Sequence, residues 1–105
     1  MDVSTGQRLL EFYGRECSHC LHMVPVVEAV ERELGRPIEK LEVWHNEENA
    51  RLMEISSAPA LREACGGFFG VPAFYNEATG QALCGEQEKD DLLAWAQGKM
   101  ITRDV

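Results

Sequence analysis

Apolar and polar positions fall in blocks along this chain, and each block carries the period of one kind of element. Arg8-Leu-Leu-Glu-Phe-Tyr13 is a short apolar-rich run that stops at Gly14, the pattern of a buried strand. From Cys20 to Leu34, the positions Cys20, Met23, Val24, Val27, Val30 and Leu34 recur at helical spacing, while Glu28, Glu31, Arg32 and Glu33 lie elsewhere. Gly35 is placed to cap that helix, Pro37 follows it, and Pro25 inside it predicts a kink. Ile38 to Trp44 reads as a second strand. Asn46 is placed as the N-cap of a helix from Glu47 to about Ile55, with two acids in its first turn. Ser56-Ser57-Ala58-Pro59 predicts an interruption, followed by a short helix from Pro59 to Cys65 that Gly66-Gly67 ends. Val71 to Tyr75 reads as a third strand, Asn76 to Gly80 as a hairpin loop, and Gln81 to Cys84 as a fourth strand. Glu88 to Gln97 is the last helix, with Gly98 as its stop.

The order β-α-β-α-β-β-α predicts an α/β fold: a four-stranded mixed sheet flanked by helices. The first two strands should be parallel and the last two antiparallel. Trp44 and Trp95, with Phe12, Phe74 and Leu92, are the expected core, because large rings bury the most apolar area in so small a domain.

Composition bounds what such a domain can do. With 105 residues, 45% of them hydrophobic, the chain is one domain's worth of sequence, 1–105. Acids outnumber bases 18 to 10, a net charge of −8, which argues against nucleic acid and anionic membrane as partners. No apolar run approaches the roughly 18 residues of a membrane span. Met1 to Arg8 carry no secretory apolar region, so the expected location is cytoplasmic, or organellar after leader removal. A monomer is expected.

The candidate chemistry lies in Cys17-Ser18-His19-Cys20, where a strand ends and a helix begins. The open amides and positive dipole end of a helix favour an anion, and the thiolate is the reactive form of cysteine. Cys17 is therefore expected to be the exposed nucleophile, and Cys20, one turn on, the resolving thiol of a redox-active disulfide. The alternatives are a zinc site from Cys17, His19, Cys20 and His22, an iron–sulfur cluster held through Cys17, or a purely structural disulfide. No cofactor is expected on the leading reading. Cys65 and Cys84 stand alone in sequence. They are read as two buried free thiols, with a second disulfide or redox-linked pair as the alternative. His22 and His45 carry no specific signal.

Taken in order, these motifs resemble the thioredoxin superfamily. Leu10-Glu11-Phe12-Tyr13-Gly14-Arg15-Glu16 precedes the C-x-x-C pair as the family's strand does, and Pro25 stands five residues after the second cysteine, where the family has its kink proline. Val71-Pro72 matches the cis-proline dipeptide, Lys40 matches the lysine of the K-L-x-V/I-D strand, and Gly85 matches the glycine that lines the substrate groove. The resemblance implies a thioredoxin fold of the smaller, glutaredoxin-like size, beginning at the strand that leads into the motif. It implies a thiol–disulfide oxidoreductase or electron-transfer protein acting on protein disulfides, recharged by an unidentified reductase or oxidant.

The resemblance also implies roles for single residues. Glu11 aligns with the buried acid that exchanges a proton with the second cysteine, with Lys40 as its partner. Pro72 should be cis and leave the Val71 backbone free to pair with an extended substrate. His19 stands where thioredoxins have proline. A hydrogen bond or charge from it to the thiolate would stabilise the reduced form and make the disulfide a better oxidant. Glu16 replaces the tryptophan before the nucleophile, removing a flat apolar contact and adding a negative charge. Residues 56–70, with Cys65, Phe68 and Phe69, are extra and are read as a substrate or partner surface. A glutathione-dependent, glutaredoxin-like reductase is the nearest alternative, although Ser18-His19 lacks the usual tyrosine. A redox-inactive adaptor is the other.

Overall fold

The computed structural model describes residues 8–67 and 69–99. Phe68 and residues 1–7 lie outside them. The order is β1 (Leu9–Tyr13), α1 (Ser18–Leu34), β2 (Glu39–Glu42), α2 (Glu47–Ala64), β3 (Ala73–Asn76), β4 (Ala82–Cys84) and α3 (Lys89–Ala96). The strands form one mixed sheet in the order β2-β1-β3-β4. β1 pairs parallel with β2 and antiparallel with β3, and β3 pairs antiparallel with β4. The expected order, fold and strand directions are all present. No helix of the described residues is long and apolar enough to cross a membrane.

The central strand explains the two-layer burial. β1 is buried on both faces, so its apolar run is nearly continuous. Alternation sends Leu9 to the α1 and α3 side, where it joins Met23, Val27, Val30, Phe74, Leu92 and Trp95. Leu10 and Phe12 point the other way, against Met53 and Leu61 of α2 and Ala73 of β3. Phe74 and Trp95 meet edge to face at 5.7 Å, and the Trp95 indole donates to the Gln81 carbonyl. Two caps fall where the sequence places them: Gly35 closes α1 at φ 71°, and the Asn46 side chain accepts from the Asn49 N–H.

Three expectations need correction. First, α2 is one helix from Glu47 to Ala64, not two broken at Ser56–Pro59. Pro59 removes one hydrogen bond, but Met53 and Leu61, before and after it, are both buried against the sheet, and that burial outweighs a local break. Second, Trp44 is not core. It lies beyond the end of β2, is 53% exposed, and its ring covers Gly14. Third, Val24 is 45% exposed, and so leaves the buried stripe formed by Cys20, Met23, Val27 and Val30. The helix turns 100° per residue, and Val24 falls at the edge of that stripe.

Candidate active site

The loop between β1 and α1 delivers the two cysteines. The Cys17 N–H donates to the Gly14 carbonyl at 3.0 Å, a tight turn that sets Cys17 as the N-cap of α1. Its Sγ accepts from the Cys20 N–H at 3.2 Å, so the sulfur rests on the open amides of the first turn. Both thiols are free in this structure. Cys17 is 6% exposed, which corrects its reading as an exposed nucleophile. The loop before β3 covers it: Cys17 Sγ lies 3.9 Å from the Val71 carbonyl, and the Val71–Pro72 bond is cis, as expected. The Gly85 N–H donates to the Pro72 carbonyl at 2.7 Å, with Gly85 at φ 88°. Val71, Pro72 and Gly85 thus form one wall beside Cys17.

Cys20 faces the other way, toward the sheet. Burial, with Cys17 and Glu11 adding to it, pushes its thiol up to about 12. Glu11 sits beneath it. Being on the same face of β1 as Leu9, this residue is turned toward α1 and is only 5% exposed. Burial raises its carboxyl from 4.5 to about 7, against the pull of Lys40 and with a push from Glu31. A cavity of about 360 Å³ opens on this side, lined among others by Glu11, Cys20, Val24, Val27, Glu31 and Lys40.

The charged neighbours are less simple than the sequence implied. Lys40 stands opposite Glu11 in the register of β1 and β2, but its amine donates to Glu31 and to the Ile38 carbonyl. Sequence reading missed Glu31, because only the packing of α1 on the sheet brings it there. Glu16 is exposed and bonds His45 at 2.7 Å, with Arg15 3.7 Å away. Its charge is therefore shared between two bases. The carboxylate of Glu42 accepts from the N–H groups of Arg15 and His45 and ties the two loops together.

The His19 ring is given to Glu86, at 2.6 Å from Nδ1. The hydrogen bonds of Cys17 Sγ run instead to Cys20 and Val71, so any effect of His19 on the sulfur here acts through space. His22 meets the same Glu86 oxygen at 3.2 Å. Their spacing of three residues on one helix was visible in the sequence, but Glu86 was not. The four ligands of the zinc alternative do not gather: the thiols are buried and both imidazoles are exposed. Cys65 and Cys84, read as free thiols, form a disulfide. Cys65 caps α2, and Cys84 pairs with Ala73 beside Pro72, so the fold brings together two residues 19 apart.

A cis-proline loop facing a C-x-x-C pair at a helix start, on this sheet, agrees with the comparison of the sequence to known families. A family model described as Thioredoxin matches residues 2–97. The chain belongs to the thioredoxin family. No curated protein matches it. Membership of the thioredoxin family supports a thiol–disulfide oxidoreductase type of function in general, and the two cysteines of the motif are near each other as that function needs.

Proposed function

We propose that this thioredoxin-family protein exchanges dithiol for disulfide with protein substrates through Cys17 and Cys20. The observation that carries the reading is the placing of Cys17 Sγ between the first amides of α1 and the carbonyl of Val71. The Cys17 thiolate attacks one sulfur of a substrate disulfide, and the other substrate sulfur leaves as a thiolate. The Cys20 thiol gives its proton to the Glu11 carboxylate, and the Cys20 sulfur attacks the Cys17 sulfur of the mixed disulfide. The second substrate thiolate is released, the substrate is reduced, and Cys17–Cys20 is left as the disulfide. An external dithiol then reduces that disulfide, or the cycle runs in reverse with the protein as oxidant.

Supporting features surround the pair. The Val71 backbone lies beside Cys17, where an extended peptide would pair with it. A second cavity of about 320 Å³, between Trp44, Met53, Phe69 and Val71, offers apolar cover to a substrate side chain next to the sulfur. Trp44 thereby restores a flat contact that Glu16 takes away. Phe69 and Gly70, from the extra stretch before the cis-proline, line this surface.

Insulin reduction and reduction of a glutathione mixed disulfide, run together with a redox titration against glutathione, test the proposal. Turnover of insulin that is lost in Cys17→Ser supports it. Turnover confined to the glutathione substrate moves the protein to the glutaredoxin-like alternative. Insulin activity that survives alkylation of Cys17 overturns it.

A further inference from the structure

The three histidines of the chain are His19, His22 and His45, and two of them converge on one carboxylate oxygen. We propose that His19, His22 and Glu86 form a binding site for a divalent transition-metal ion, with zinc as the reference ion. The site lies outside the dithiol chemistry and does not depend on it. His19 and His22 are three residues apart on α1, so their rings leave the same face of the helix, and both present Nδ1 to Glu86 Oε2.

The spacing suits a tetrahedral ion. Zinc–nitrogen and zinc–oxygen bonds of 2.0–2.2 Å give ligand-to-ligand edges of about 3.3 Å. The two nitrogen-to-oxygen distances are 2.6 and 3.2 Å, and all three ligand atoms lie within 4.8 Å of one another. A cation between them needs the ligand atoms to close by at most about 1.5 Å, within reach of rings whose side chains are each 68% exposed and can turn. Two imidazoles and a carboxylate are a donor set that zinc uses with a fourth position open to water. A surface ion pair would need only one of the two rings. The net charge of −8 draws cations to the surface in general.

The placing gives such an ion a consequence. His19 lies between the two cysteines in sequence, and Glu86 follows Gly85, whose N–H is bonded to Pro72. A bound ion would fasten the start of α1 to the turn beside the cis-proline wall.

The test separates this site from the thiols. Zinc is titrated against a chromophoric competitor into the Cys17→Ser/Cys20→Ser chain with its Cys65–Cys84 disulfide intact. One zinc per chain is expected. His19→Ala, His22→Ala and Glu86→Ala should each weaken binding by more than about tenfold, while His45→Ala leaves it unchanged. In the serine chain labelled with nitrogen-15, zinc should shift the Nδ1 resonances of His19 and His22 and not those of His45. No saturable binding in the serine chain, or binding that the three alanine variants do not weaken, overturns the proposal.

Discussion

Glu11 and Lys40 face each other across β1 and β2, yet the lysine amine bonds Glu31 and not the carboxyl beneath Cys20. Glu11 keeps its burial and receives the lysine's charge only from a distance. It therefore titrates at about 7, while Cys20 titrates at about 12. On the proposed mechanism, the Glu11 carboxylate takes near neutral pH the proton that the Cys20 thiol does not lose unaided.

Glu11→Gln is expected to slow resolution of the mixed disulfide while leaving the first attack by Cys17 intact. Stopped-flow trapping of the mixed disulfide separates the two steps. In the wild type, resolution should rise with pH through about 7, where Glu11 ionises. The glutamine variant should lose that inflection. An unchanged profile in the variant removes Glu11 from the proton transfer.

The same residue sets a stability change of known sign. Its folded pKa lies above 4.5, so between pH 4.5 and 7 the folded chain holds a proton that the unfolded chain has released. This group's contribution is best below pH 4.5, falls as pH rises to about 7, and is flat above. The full loss is on the order of 3 kcal/mol. Glu11→Gln should therefore stabilise the protein at pH 8 and do little at pH 4.5, as measured by urea unfolding at the two values.

Lys40 and Glu31 act on Glu11 in opposite directions. Lys40→Met should move the Glu11 titration above 7, and Glu31→Gln should move it below, as followed by carbon-13 shifts of the carboxyl. Movement in the same direction for both would show that the change comes from altered burial and not from charge.

The Cys65–Cys84 bond closes a loop of 19 residues, and chain entropy alone predicts a stabilisation of about 3 kcal/mol. Cys65→Ser/Cys84→Ser should lower the urea midpoint accordingly. Mass spectrometry of reduced-site protein, alkylated without further reductant, should find two reactive thiols and not four.

Gly14 has no side chain because a ring occupies the space. A Cβ there would overlap the indole ring of Trp44. Gly14→Ala should push that exposed ring away and make its fluorescence more open to quenching by acrylamide. Trp95, buried in the core, should be unaffected. If the ring also serves substrates, Trp44→Ala should raise KM for insulin more than it lowers kcat.

Residues whose role depends on near neighbours were legible in the sequence. The cysteine pair at the start of a helix and the Gly35 and Asn46 caps follow from spacing along one element, whereas the burial of Glu11 was implied by the family resemblance. The family resemblance added Pro72 and Gly85, which neither period nor spacing marks. What failed depended on distant contacts. Pro59 looked like a break because propensity is local, whereas the burial that carries α2 through it comes from the sheet. Trp44 looked like core because it is large, although the strand that should hold it ends at Glu42.

The amino-acid order by itself determined the element sequence, the parallel β1–β2 and antiparallel β3–β4 directions, and the sulfur pair at the mouth of α1, because periodicity and capping act over a few residues. Only the tertiary structure decided that Cys65 meets Cys84, that Glu31 captures Lys40, that Val71 covers Cys17, and that Glu86 draws His19 and His22 together. Each of these joins side chains from separate elements, and their distance is set by how helices and strands pack across the sheet, which no local pattern encodes.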